Sequence, residues 1–493
     1  MSPFSSFPTI PSLRPMYNIG GMFDIPTGTY HLGKYGQSVC NGGVPIIFSI
    51  VGPGNSFKTA EILFANLSIA DKIEQFHLGI YDNEISLTYE RVNVLCKRFP
   101  NISLIKHGDE YLPPEQMRIK ITSSAEMLGD VYWGMIEDLV EVKKKSREKL
   151  LTTPFFNQKL EPFLSKPPTG VIIDSISKFQ ITNLQTNIVE KTNVGDSAAQ
   201  TLWLREGGAK KQLITRLPNL CAQGALCVSM TAHVGAEFVM DQMAPKKHKL
   251  AFAKRGTEIK GASPEFKMLN NALWEIFDAS PLNNKERGTG VLYPLLECDR
   301  HEDCTDLMKV HLKLTRNKSG PTGASVTHVV SQREGVLEHL SMFHFIKVSD
   351  DYGLVGNNTT YCLNLLPEVK LSRTTVRGII DSNFKVRRAL EITSDLLQYQ
   401  LYYQDRSLLC TPEELYNGII NLGYNWDTLF NTRNHWVFEE SENNNLPFLS
   451  TWDLLRMRAG LYTPYFLQKQ YHKNFKGRLK EIVSAIPEAE YKT

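Results

Sequence analysis

The sequence predicts an α/β fold built on a mostly parallel sheet. Three observations carry this prediction. Four apolar runs, at residues 43–51, 78–81, 170–173 and 225–230, have the continuous, branched character of strands buried on both faces. Segments of helical spacing separate them, such as "AEILFANLSIADKI" after Thr59. Each run ends in polar residues, and in an open parallel sheet a ligand binds outside the carboxyl ends of the strands.

The first run leads into "GPGNSFKT", residues 52–59. The phosphate-binding pattern G-x-x-x-x-G-K-[ST] is met at Gly52, Lys58 and Thr59 but not at position 57, where phenylalanine replaces glycine. Strand, loop and helix in this order suit a phosphate site, because loop N–H groups and the helix N-terminus point at the anion. Pro53, Gly54, Asn55, Ser56 and Phe57 form the cradle. Lys58 reaches the β/γ-phosphates, and Thr59 places its hydroxyl on Mg²⁺. Phe57 fits if its backbone dihedral is ordinary and its ring points outward. A strand-to-helix turn with chance glycines is the alternative.

The other runs supply the remaining chemistry. Residues 78–81 end in Asp82-Asn83-Glu84, where a carboxylate beside the loop orients water, or where the loop is merely solvated. Residues 170–173 end in Asp174, placed to hold Mg²⁺ through water. Residues 225–230 end in Thr231-Ala232-His233, polar groups able to sense a γ-phosphate.

Composition sets the limits. The chain has 493 residues, 42% hydrophobic and 22% charged, which suits a soluble globular protein of two to four domains. A net charge of +3 is too mild to prove a nucleic-acid partner, so any basic signal must be local. No apolar run approaches the ~18 residues of a membrane span. The N-terminus lacks the basic start and apolar stretch of a secretory signal. The eight cysteines are scattered, as in a reduced intracellular protein. "CDRHEDC", residues 298–304, lacks a second close-set ligand pair, so zinc is not expected.

Together these motifs resemble a RecA-fold recombinase, nearest to the phage UvsX type, over about residues 20–345. That type carries GPxxSFK[ST], with phenylalanine where glycine is expected, and "GPGNSFKT" matches it. The resemblance implies a RecA-like P-loop ATPase core using ATP and Mg²⁺. "YDNEISLT" resembles the segment whose acid activates water, which gives Glu84 that role. "QLITRLPNLCAQGALCVSMTAH" resembles the stretch leading into the sensor. The family often has Asn-Gln or Asn-His there, so His233 is favoured as the sensor with Thr231 the alternative. "MKVHLKLTRNKSGPTGASVTHVV" resembles the late strand whose paired cations reach the neighbouring protomer's nucleotide, here Arg316 and Lys318. Without the other motifs that pair reads as a basic hairpin tip. Tyr89 or Arg91 is placed to stack on adenine.

The resemblance also implies two DNA loops. The first falls at residues 178–208. The second, residues 245–261, holds Lys246, Lys247, Lys249, Lys254, Arg255 and Lys260 against Glu258 alone, a local charge of +5, with Phe252 for base contact. A solvated basic loop is the alternative. Gly256 and Gly261 would let it rearrange. The expected organisation is an N-terminal arm and lead-in segment at 1–43 with Phe4 and Phe7 as docking anchors, an ATPase core at 44–345, and a mainly helical region at 346–493. An insertion at about 106–169 reads as helices plus a Pro-rich return. The implied function is ATP-dependent filament formation on single-stranded DNA, with pairing to homologous duplex DNA. Loading and single-strand-binding proteins are the implied partners, no membrane is involved, and the implied place is the cytoplasm of an infected bacterial host. A ring helicase and a non-hydrolysing recombination mediator or scaffold are the alternatives. Lys58, Thr59, Glu84 and Asp174 speak against the mediator.

Overall fold

The protein is described by a computed structural model covering residues 16–468, except 41, 103–105, 108–109, 112, 114–115, 147–148, 157–160, 182–196, 238–248, 284–289, 358, 404 and 439–445, and the side chains of 40, 106–107, 110–111 and 197–205. Its centre is a ten-stranded mixed sheet. The strands of this sheet are, in chain order, β1 (Ile47–Gly52), β2 (His77–Asp82), β3 (Ile119–Ser123), β4 (Thr169–Asp174) and β5 (Leu226–Ala236). There follow β6 (Thr257–Ile259), β7 (Ala272–Pro281), β8 (Leu307–Asn317), β9 (Ser325–Ser331) and β10 (Gly335–Val336). The spatial order is β10-β9-β8-β7-β1-β5-β4-β2-β3, with β6 hairpinned onto the end of β5. From β7 to β3 all neighbours are parallel. From β7 to β10 they are antiparallel. The sheet is therefore mostly parallel, as its strand sequences predict.

The continuous apolar runs have a simple cause. Side chains alternate across a strand, and both faces of this sheet are covered. Phe48, Ile50, Leu78, Ile80 and Ile172 join one core, while Ile47, Val51, Tyr81, Val171 and Ile173 join the other. The first face is covered by α1 (Lys58–Lys72), α5 (Glu338–Val348) and α6 (Phe384–Tyr402). The second is covered by α3 (Gly129–Lys145) and α4 (Ser197–Gly224). The short helix α2 (Tyr89–Cys96) follows β2, with the Thr88 hydroxyl accepting from Arg91 N at its start.

Three expectations about organisation change. Within the expected arm and lead-in segment, residues 16–25 belong to the core: Tyr17, Ile19, Met22, Phe23 and Ile25 are buried in it, and Tyr17 pairs with Val44 and stacks on Trp436 at 5.8 Å. The expected anchors Phe4 and Phe7 lie outside the described residues. Residues 106–169 are not a helical insertion, because they supply strand β3 of the main sheet, the single long helix α3 and a two-stranded hairpin, Leu151–Phe156 with Pro162–Ser165. Tyr132 of α3 stacks on Tyr81 of β2 at 4.6 Å, so this segment is part of the core packing. The C-terminal region is mainly helical but also holds a three-stranded antiparallel sheet, Leu354–Gly356, Tyr361–Leu363 and Leu366–Leu371. Its apolar side chains share the first core with the central sheet. Among the described residues no helix is long and apolar enough to cross a membrane.

Candidate functional site

The strand order gathers the polar strand ends. β4 lies between β5 and β2, and β5 lies beside β1, all parallel. Gly52, Asp174, Thr231 with His233, and the turn after Asp82 therefore emerge on one edge of the sheet. Residues separated by as many as 149 positions meet there, His233 Nε2 standing 2.5 Å from Glu84 Oε1.

The 52–59 loop has an unexpected backbone. Phe57 adopts φ 69°, the left-handed region that glycine occupies freely, and Asn55 adopts φ 54°. Its ring is half-buried against the first core instead of pointing outward. The condition of an ordinary dihedral and an outward ring is not met: phenylalanine takes up glycine's conformation, with its ring packed on the core. Lys58 is buried and its Nζ donates to Pro53 O at 2.6 Å. Ser56 Oγ donates to the same carbonyl at 2.8 Å. Burial pulls the Lys58 ammonium below its usual pKa, against the pull of Asp174 and Glu84.

Asp174 is the hub. Thr59 Oγ1 donates to its Oδ2 at 2.6 Å, and Thr231 Oγ1 donates to its Oδ1. Burial raises the carboxyl's pKa, the two hydroxyls lower it, and the charges of Glu84 and Asp82 raise it further. Thr231 is therefore fully engaged with Asp174, and His233 is the group that reaches Glu84. The two sensor alternatives have different neighbours.

Glu84 owes its aim to its neighbours. The carboxylate of Asp82 accepts from Glu84 N (3.0 Å), Ser86 N (2.8 Å) and Leu87 N (2.7 Å), shaping the turn that projects Glu84. Asp82 is thus committed to backbone. Asn83 exchanges two 2.6 Å hydrogen bonds with the backbone of Ser175, and Ser175 Oγ donates to Glu84 Oε1 at 3.0 Å. Burial would raise the Glu84 pKa, but the hydrogen bonds from His233 and Ser175 outweigh it and hold the group below its ordinary value. Asn83, Ser175 and Ser177 were not singled out from sequence; only the fold brings them to the acid.

Thr59 and Asp174 offer hard oxygen donors in mutual contact. This fits Mg²⁺, which keeps several waters and takes one or two carboxylates plus substrate phosphates. Among the described residues no group of three or more His, Cys, Asp or Glu could hold a metal by itself. An open cavity of about 310 Å³ joins Asn55 through Thr59 with Glu84, Asp174, His233 and Arg91.

Other expected residues fall elsewhere. Arg91 lines the cavity and its Nη1 donates to Arg333 O at 2.7 Å. Tyr89 lies outside the lining, its hydroxyl donating to Ile121 O of β3 at 3.1 Å. Arg316 is opposite Leu273, which pairs with Ser49, three residues before Gly52. Arg316 and Lys318 thus sit at the far end of the sheet from this loop and donate to Asn270 O and Leu269 O. Within one chain they do not join the cavity.

The basic segment is in part a hairpin, not only a loop, since β6 pairs with the end of β5. Lys260 N donates to His233 O at 2.8 Å, and Ser177 Oγ donates to Lys260 O at 2.7 Å while accepting from His233 N at 2.9 Å. Gly261 has φ 65°, and a Cβ there would stand 2.4 Å from Ser177 O, so this position requires glycine. Phe252 is 41% exposed, with Lys313 Nζ 5.5 Å from its ring centre. Lys249 pairs with Glu237, Lys254 Nζ donates to Phe277 O at 2.8 Å, and Arg255 is exposed. Lys246 and Lys247 lie outside the described residues, as does most of the first expected loop, 182–196. That loop ends earlier than expected, because α4 begins at Ser197.

The sequence matches no protein-family model and no curated protein.

Proposed function

We propose that this chain is a RecA-like, DNA-dependent ATPase that assembles as filaments on single-stranded DNA and pairs it with homologous duplex. The reading rests on one observation: Lys58, Thr59, Asp174, Glu84 and His233 line a single cavity at the carboxyl ends of adjacent parallel strands. Lys58 exchanges Pro53 O for β/γ-phosphate oxygens. Thr59, and Asp174 through water, would hold Mg²⁺, which would neutralise charge on the phosphates. Glu84, kept ionised by His233 and Ser175, accepts a proton from the attacking water. His233 belongs to the strand whose end carries the basic hairpin, and its carbonyl is bonded to Lys260. Displacement of that hairpin by DNA would therefore move the partner of Glu84, which supports DNA-dependent hydrolysis. Arg316 and Lys318 cannot serve their own cavity, in keeping with a role at a neighbour's nucleotide.

The test is ATP hydrolysis measured with and without single-stranded DNA, combined with electron microscopy of the products. Open helical filaments and DNA-stimulated hydrolysis support the reading. Closed rings with unwinding activity would favour a ring helicase, and binding without hydrolysis would favour a mediator.

A further inference from the structure

A second charged cluster lies behind the loop. His328 of β9 and Glu61 of α1 are fully buried, with His328 Nδ1 2.6 Å from Glu61 Oε2. On the other side of the ring, Nε2 faces Glu338 Oε2 of α5 at 3.8 Å. Glu338 is itself fixed by Met22 N, which donates to its Oε1 at 2.5 Å. Phe23 and Phe64 meet the imidazole edge-on at 4.8 and 5.8 Å and seal it from water.

The geometry assigns a protonation state. A neutral imidazole has one ring nitrogen that carries no hydrogen. Here both nitrogens face carboxylate oxygens, so a neutral ring would set a lone pair against a buried carboxylate. Among the described residues His328 Nε2 and Glu338 Oε2 have no hydrogen-bond partner. A doubly protonated ring donates to Glu61 and sets its charge within ion-pair range of Glu338. Burial disfavours that cation, yet the charge and hydrogen bond of Glu61, with the charge of Glu338, outweigh burial and raise the His328 pKa. Glu61 from α1 and Glu338 from α5 are the charged groups that act on it.

Glu61 sits two residues after Thr59, and its N–H makes the first bond of α1, to Phe57 O at 3.0 Å. We propose that the Glu61–His328–Glu338 triad positions the phosphate-binding loop, with His328 as an imidazolium that clamps the first turn of α1 to the antiparallel wing of the sheet. The left-handed Phe57 needs such support, because a strained backbone persists only where its surroundings over-determine it. The triad also joins the turn bearing Lys58 and Thr59 to the β8–β9 hairpin whose first strand carries Arg316. His328 is a positioning residue, since it lies outside the cavity. The proposal rests on the reading of the loop as a nucleotide site.

Two measurements test it. In ligand-free protein with ¹⁵N-labelled histidine, the His328 signal, assigned by its loss in His328→Gln, should show both nitrogens protonated at pH 7. Second, Glu61→Gln/His328→Gln replaces the Glu61–His328 ion pair with a neutral hydrogen bond and leaves neither of these two partners as a lone charge. It should fold, bind a fluorescent ATP analogue with Mg²⁺ about tenfold more weakly, the scale of one charged hydrogen bond, and keep kcat within about twofold. A singly protonated His328, or unchanged nucleotide affinity in the folded double variant, overturns the proposal. If wild-type protein binds no nucleotide, the positioning role falls with the nucleotide reading, while the histidine signal still reports whether the triad is charged.

Discussion

His233 Nε2 stands 2.5 Å from Glu84 Oε1, and the same histidine's carbonyl accepts from Lys260 N at 2.8 Å. One residue thus touches both the proposed base and the basic hairpin. Glu84→Gln should retain ATP binding and lower DNA-stimulated hydrolysis by about 10²–10⁴-fold, the range of general-base catalysis. Lys58→Ala should lose nucleotide affinity itself. Normal turnover in Glu84→Gln would remove Glu84 from the mechanism.

The pH profile offers a second check. Burial opposes ionisation of Glu84, and the hydrogen bonds from His233 and Ser175 overcome it, leaving a lowered pKa. Wild-type hydrolysis should therefore lose its base only on acidification below the ordinary carboxylate range. His233→Ala removes the stronger partner and leaves burial less opposed, so the acid limb of the pH–rate profile should move to higher pH. An acid limb that stays in place would show that His233 does not set the charge of Glu84.

Phe57 makes a sharp stability prediction. An L-residue in the left-handed region costs roughly 1–2 kcal/mol, and glycine escapes this at an entropic cost of about 0.5–1 kcal/mol. Phe57→Ala loses the ring packing and keeps the backbone cost, whereas Phe57→Gly loses the packing and exchanges the backbone cost for the smaller entropic one. Alanine should thus be less stable than glycine by up to about 1.5 kcal/mol in denaturant titrations. Equal or reversed stabilities would mean that the left-handed backbone carries no strain.

If Arg316 and Lys318 serve a neighbour's nucleotide, Arg316→Ala or Lys318→Ala should lower ATPase activity in the DNA-bound assembly and leave nucleotide binding by isolated protomers nearly intact. Mixing either variant with Lys58→Ala should restore part of the activity, because the two defects lie on opposite faces of one interface. Failure of co-assembled mixtures to complement would place the pair elsewhere.

The basic segment predicts a salt signature. A lysine that neutralises one phosphate of single-stranded DNA steepens the fall of log affinity with log salt by roughly 0.7, and its removal should flatten the slope by that amount. Lys246→Ala/Lys247→Ala/Lys249→Ala should weaken binding about equally across sequences and flatten that slope. Lys249 contributes least if its ion pair with Glu237 persists. Phe252→Ala should lower affinity by the ~1–3 kcal/mol of one stacked base with little change in slope. Unaltered affinity and slope in the triple variant would move DNA binding off this segment.

What the sequence determined by itself was local. Runs such as 170–173 had to be buried on both faces, because no alternation marks a wet side. Each run's polar end then had to fall at a strand's carboxyl edge, which placed Lys58, Thr59, Glu84, Asp174 and His233 before any neighbour was known. The tertiary structure decided what those residues touch. Residues 119–123 read as part of an insertion because a short edge strand takes its pairing from β2, not from its own pattern. The core role of residues 16–25 was not legible because their burial is supplied by Val44, Trp436 and other residues distant in the chain. The left-handed dihedral of Phe57 was not legible because a backbone dihedral is set by the packing around it. The roles of Asn83, Ser175 and Thr231, and the burial of His328 between two glutamates, were equally hidden. Periodicity records which face of an element is buried, whereas hydrogen-bond partners and buried charges depend on which elements the fold sets side by side.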